Sequence, residues 1–150
     1  MNVDRDFVAQ NNQQRARLQD LIGRLTDAEL ARSLPAGWTV ASVLAHLAFW
    51  DQRALVLLER WQQAGAAAVP PAMRDADVDW INDATKPLAL ALSPRRAADL
   101  TIAIAEAVDR KIEALPEEFV ARNAGAGSPL NLLRAEHRRE HLDEIEAALR

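Results

Sequence analysis

Apolar residues return every three or four positions along most of the chain, and no stretch alternates strictly with β-branched enrichment, so the pattern predicts helices throughout. The first segment, roughly 3–25, carries Phe7, Val8, Leu18, Leu21, Ile22 and Leu25 among polar residues. Thr26 with Glu29 three positions on has capping-box spacing and predicts a short separate helix over TDAELARSL, followed by a turn at PAG. The second long helix is expected from Thr39 as N-cap to about Ala64, with Gly65 as its stop. Val40, Val43, Leu47, Trp50, Ala54, Leu58 and Trp61 form its buried stripe.

The double proline in GAAAVPPAMRDA forbids a continuous helix there. Helical periodicity resumes over 78–92, and Ser93-Pro94 reads as an N-cap and first-turn proline for a helix to Leu115. EEFVARNAGAG looks like a loop, and Ser128-Pro129 repeats the start signal for a last helix reaching Leu149. The fold expected is all-α, a four-helix bundle whose third arm is broken near Ser93-Pro94, built as one domain over residues 1–150.

Composition narrows the function more by exclusion than by suggestion. With 49% hydrophobic and 27% charged residues the chain is ordinary globular protein. It contains no cysteine, so disulfides, thiolate ligands and a cysteine nucleophile are ruled out, and any thiol chemistry needs an external thiol. A net charge of −4, with arginines interleaved among Asp and Glu, argues against a nucleic-acid partner. The polar N-terminus and the lack of a long apolar run predict no membrane partner, no signal sequence and a cytoplasmic protein.

Candidate chemistry gathers on the three histidines. HRREH places His137 and His141 four residues apart, one above the other on a helix face, where two imidazoles can share a cation. Following the last helix through Leu130, Leu133, His137, His141 and Ala148, with Ile145 beside them, puts both histidines on its inward face. His46, one turn from Val43 and Trp50, points inward from the second long helix. A lone inward histidine is more often a hydrogen-bonded core residue, but three together, two at ligand spacing, favour a divalent metal such as Zn, Ni or Fe with a vacant coordination position. HRREH also fits H-x-x-E-H, the inverted zinc-peptidase pattern, with Glu140 as general base. That class needs another ligand well downstream of His141, which weighs against a peptidase, and Glu140 falls off the inward face.

The stretches GWTVASVLAHLAFWD, VDWIND and NLLRAEHRREHLDEI together resemble the DinB-like family of metal-binding four-helix bundles, nearest to the group of the mycothiol-dependent maleylpyruvate isomerase N-terminal domain. The resemblance covers nearly the whole chain. It implies a metal held by His46, His137 and His141, a low-molecular-weight thiol as co-substrate, S-transferase or isomerase activity, and a homodimer. Two departures point away from maleylpyruvate isomerisation itself: the isomerase group has a Glu where His137 stands, and a further C-terminal domain that this chain is expected to lack.

Around such a metal, Trp38, Trp50 and Trp80 are expected to line an apolar pocket for a small-molecule substrate, although tryptophans at helical spacing are more often core. Trp61 is assigned to core. Asn82 is expected to reach substrate or a metal-bound water, with local capping as its plainer role. Arg53, two turns beyond His46, is placed to bind a substrate carboxylate, with surface pairing as the alternative. The acceptors that orient the imidazoles are not identifiable, and Asp51 falls on another face. The leading function is a metal-dependent transferase or hydrolase acting on a small electrophile. The alternative is a non-catalytic small-molecule-binding or protective protein with a structural metal.

Overall fold

A computed structural model describes residues 3–150 of the chain. Its helices are α1 (Asp6–Arg24), α2 (Asp27–Leu30), α3 (Val40–Ala64), α4 (Asp75–Ala91), α5 (Pro94–Glu113), α6 (Glu117–Gly125) and α7 (Ala135–Leu149), with single 3-10 turns at Pro35–Gly37 and Ala66–Ala68. Helix α3 packs against α5, α4 and α7, while α1 packs against α5 and α7. Helices α1, α5, α3 and α7 therefore close a ring of pairwise contacts, and α4 lies outside the ring against α3. The all-α bundle is as the periodicity predicts, and the break at Ser93-Pro94 divides the third arm into α4 and α5.

Local chemistry sets the helix starts. Thr39 Oγ1 accepts from the Ser42 amide at 3.1 Å while Ser42 Oγ accepts from the Thr39 amide at 2.7 Å. This reciprocal cap, in a class worth about 1 kcal/mol, fixes the first turn of α3 and hence the register of His46. Thr26 and Glu29 make the same kind of box at α2. Between α2 and α3 the chain doubles back: the Leu34 amide donates to the Trp38 carbonyl at 2.7 Å, across a turn in which Ala36 and Gly37 have φ of 61° and 79°. Gly37 takes this left-handed geometry without steric cost, whereas Ala36 does so at a cost in strain. Lys86 of α4 donates to the Ala36 carbonyl and lies over the Trp38 ring, 5.2 Å from its centroid, tying the turn to α4.

Two expectations fail near the C-terminus. EEFVARNAGAG is helical through Gly125, because Phe119, Val120 and Asn123 bury one face of a nine-residue helix whose period is too short to stand out in sequence. Ser128-Pro129 does not start the last helix. Ser128 has φ of 54° and donates its amide to the Asn123 carbonyl at 2.8 Å, closing the end of α6 instead. The chain then runs non-helically to Ala135, its backbone satisfied by amide side chains from elsewhere. Asn123 binds both the amide and the carbonyl of Leu130, at 3.0 and 2.9 Å. Asn11 of α1 donates to the Leu132 carbonyl at 2.8 Å and accepts from the Ala135 amide at 2.9 Å, capping α7 from another helix.

The late start changes the phase of α7. Its buried line is Ala135, Arg138, Leu142 and Ile145, not the line through Leu130, Leu133, His137, His141 and Ala148 expected from the sequence. Leu130 and Leu133 precede the helix, so its phase cannot be carried through them. His137 and His141 are half-buried on the flank of this line.

The apolar core falls into two clusters. One gathers Leu18, Leu21, Ile22, Leu44, Leu47, Leu142 and Ile145; the other gathers Leu57, Leu58, Trp61, Val108, Ile112, Phe119 and Leu132. Along the chain Asp51 and Arg138 stand between positions of the two clusters and Asp109 beside Val108 of the second, all buried, with Asn11 buried on α1. Arg138 is 1% exposed and forks onto Asp109 with two bonds of 2.8 Å, while its Nη2 also donates to Asp51 at 3.0 Å. Arg134 donates to Asp51 at 2.8 Å and Arg15 to Asp109 at 2.7 Å. Burial opposes the charge on Arg138, but its bonds to Asp109 and the nearby charges of Asp51 and Asp109 outweigh that and raise its pKa above the usual guanidinium value. Asp51, on another face from the histidines as expected, holds this layer together.

Candidate metal centre

The capped start of α3 and the tertiary cap on α7 bring one imidazole from the first helix opposite two from the second. His46 Nε2 stands 3.1 Å from His137 Nε2, and His141 Nε2 stands 3.2 Å from the same atom. One atom from each residue can be chosen so that all three lie within 4.8 Å of one another. Three ring nitrogens this close cannot all be satisfied by one another. His137 Nε2 offers either one proton or one lone pair, so hydrogen bonding among neutral rings leaves the cluster short of protons or of acceptors. A cation would take a lone pair from each. Metal–nitrogen bonds of about 2.0–2.1 Å in tetrahedral array would separate the donors by about 3.3 Å, close to the two separations seen at His137 Nε2.

Electrostatics favour the same state. Burial, then the charge of His141, lowers the pKa of His46 to about 4. Burial, followed by His141, His46, Arg134 and Arg138, lowers that of His137 to about 3. Both rings are therefore neutral at pH 7, the form that binds metal. Trp38 packs against His46 in a T-shaped arrangement with ring centroids 5.6 Å apart.

Behind the cluster the three rings differ. His141 Nδ1 lies 3.2 Å from Glu144 Oε2, the carboxylate–histidine pairing that places the proton on Nδ1 and leaves Nε2 free to coordinate. Nδ1 of His46 is buried with no partner among the described residues. Glu144 escaped the sequence reading, although its position three residues after His141 was the available signal.

The cluster opens on a cavity of about 630 Å³ whose lining includes Trp38, Trp50, Asn82, Arg134, Glu140 and Glu144. Trp50 Nε1 donates to Asn82 Oδ1 at 2.8 Å, joining α3 to α4 across the cavity wall. Asn82 thus bridges two helices. Glu140 is exposed at the rim. The remaining two expected pocket residues lie elsewhere: Trp80 is 59% exposed and bonded to Asp77, and Arg53 lies over the Trp50 ring in an adjoining lobe. Trp61 is 5% exposed, in the second core cluster.

A helical bundle with imidazoles from facing helices at the base of a cavity is the architecture in which metal sites of such folds are built. Residues 12–147 match the family described as the mycothiol maleylpyruvate isomerase N-terminal domain, and the chain belongs to that family, a DinB-like helical bundle. No curated protein and no solved structure matches the chain. Among the described residues no helix is long and apolar enough to cross a membrane.

Proposed function

We propose that His46, His137 and His141 bind a divalent metal, Zn, Ni or Fe, through their Nε2 atoms, and that the protein is a metal-dependent transferase or hydrolase acting on a small electrophilic molecule. The observation that carries this reading is the convergence of three Nε2 atoms, 3.1 and 3.2 Å apart through His137, at the base of a cavity of ligand size. Bound there, the metal would supply Lewis acidity toward the electrophile or toward a thiol or water near neutral pH.

The chain's own residues would do the rest. Glu144 holds the His141 tautomer, Trp38 and Trp50 wall the cavity, and Glu140 at the rim would accept the proton that a thiol or water gives up. The chain has no cysteine, so the nucleophilic thiol of a transferase would be external, and the family's link to mycothiol makes a low-molecular-weight thiol the natural choice. A homodimer belongs to the same proposal.

Metal content by mass spectrometry on untagged protein tests the site. About one metal per chain is expected in the wild type and none in His137→Ala. The metal-loaded protein should then accelerate thiol addition to a model electrophile above free metal. Absence of metal from the wild type after supplementation would remove the basis of the reading.

A further inference from the structure

The buried charged layer is unbalanced on the side that faces the cavity. Its ion pairs join three cations, Arg15, Arg134 and Arg138, to two anions, Asp51 and Asp109. Arg134 is 7% exposed; its Nε donates to Asp51, an aspartate that Arg138 also occupies, and its Nη2 has no partner among the described residues. Arg53 lies 5.7 Å over the Trp50 ring and pairs with no carboxylate among the described residues. Burial, then the charge of Arg134, lowers the Arg53 pKa, so the two guanidinium groups are near enough to repel.

Both arginines line a lobe of about 300 Å³ that shares Trp50, Val78, Asn131 and Arg134 with the histidine cavity. The rest of its wall includes Leu57, Leu58 and Met73. Two guanidinium groups with spare donors, in a lobe whose other side chains are mainly apolar with Ser128 and Asn131 among them, form a fork for a planar oxyanion carried on an apolar body. A heavily hydrated phosphate suits that wall less well than a carboxylate.

We infer that this lobe is an anion subsite in which Arg53 and Arg134 bind the carboxylate of an apolar carboxylic acid, so that the reactive end of the molecule is presented to the histidines. The inference rests on the proposed function for its catalytic meaning and names the class of substrate. Its test requires neither metal nor turnover.

The probe is benzoate, titrated by calorimetry and by tryptophan fluorescence into the metal-free wild type, with Arg53→Gln, Arg53→Lys and His137→Ala beside it. The wild type should bind benzoate saturably, Arg53→Gln at least fivefold more weakly, and Arg53→Lys in between. Methyl benzoate, which has the body without the charge, should not bind saturably. His137→Ala should keep the wild-type benzoate affinity within twofold even though it loses metal, which separates failure of the subsite from failure of the metal centre. Arg53 is half-buried and outside both core clusters, and an unchanged urea midpoint in Arg53→Gln shows that the fold is intact. Absence of saturable benzoate binding by the wild type, equal affinity in Arg53→Gln, equal binding of methyl benzoate, or tighter binding of phenyl phosphate would each overturn the assignment.

Discussion

Helix α7 presents two unlike polar faces. On one, Arg134, at its N-cap, and Arg138 enter the space between the two core clusters and meet aspartates from α3 and α5. On the other, His137 and His141 are half-buried and meet a third histidine, with Glu144 behind His141. On the arginine face Arg138 is closed: it donates to Asp109, Asp51 and the Asn11 carbonyl, and among the described residues only its Nε lacks a partner, whereas Arg134 at the end of the helix keeps a free Nη2. The histidine face is open, with three possible donor atoms within 4.8 Å of one another beside a cavity. Closed polar groups hold a fold in one arrangement, whereas open ones retain capacity for a ligand. If the proposed function holds, residues one position apart divide stability from chemistry.

The sharpest way to break this contrast is Arg138→Met. The variant removes a guanidinium from Asp109 and Asp51, both 3% exposed, but each keeps one arginine, Arg15 and Arg134, so the cost should fall at the lower end of that for breaking a buried pair, about 3 kcal/mol. A fall of that size in urea-unfolding free energy is expected, with the metal site still filled in whatever fraction remains folded. His137→Ala should do the reverse: the metal is lost, while the metal-free protein unfolds within about 1 kcal/mol of the wild type, since the substitution relieves a crowded cluster. If the two variants affected stability alike, the division between the faces would be wrong.

How much of this was legible depends on whether a feature repeats locally. The caps at Thr26 and Thr39, the stop at Gly65 and the break at Ser93-Pro94 are written within four residues each and read directly. The start of α7 did not, because its cap is Asn11, more than a hundred residues away in sequence. Ser128 gave a false start signal because its backbone is committed to closing α6.

The charged layer left a trace that was discounted as ordinary mixed charge. Arg138 stands four and seven residues before Leu142 and Ile145, Asp51 four after Leu47, and Asp109 three before Ile112, so each occupies an apolar stripe. A single charge in such a stripe is ambiguous, and only the fold shows that the three meet. HxxxH is a local signal, which is why the histidines stood out even with the helix phase wrong.

Acid should separate the faces by a smaller amount. His46 and His137 have folded pKa values near 4 and 3, against an unfolded value near 6.5. Above pH 6.5 both are neutral whether folded or not, and they contribute no pH dependence. As pH falls from 6.5 toward 4 the unfolded chain takes up protons that the folded chain refuses, so stability declines by at most about 1.4 kcal/mol per pH unit for each group and levels off below the folded values. The metal-free wild type should show this decline in urea midpoints between pH 6.5 and 5, a window above most carboxylate titration. The double variant His46→Ala/His137→Ala should be nearly flat there. Equal slopes would mean that the histidines are not held neutral by the fold.

The smallest effect belongs to Glu144, the acceptor behind His141. Glu144 is bonded to His141 Nδ1 with its own side chain 41% exposed, so in metal-free protein the pair contributes little to stability and Glu144→Gln should leave the urea midpoint unchanged. Its effect should appear only when a metal is bound, because the carboxylate fixes the proton on Nδ1 and strengthens Nε2 as a donor. A loss of about tenfold in metal affinity, or about 1.4 kcal/mol, is expected by competition with a chromophoric chelator. Glutamine keeps an oxygen that can accept from Nδ1 but not the charge, whereas Glu144→Ala keeps neither and should lose more. An affinity that fell for Glu144→Ala and held for Glu144→Gln would show that orientation alone suffices, and that the carboxylate's charge adds nothing at His141.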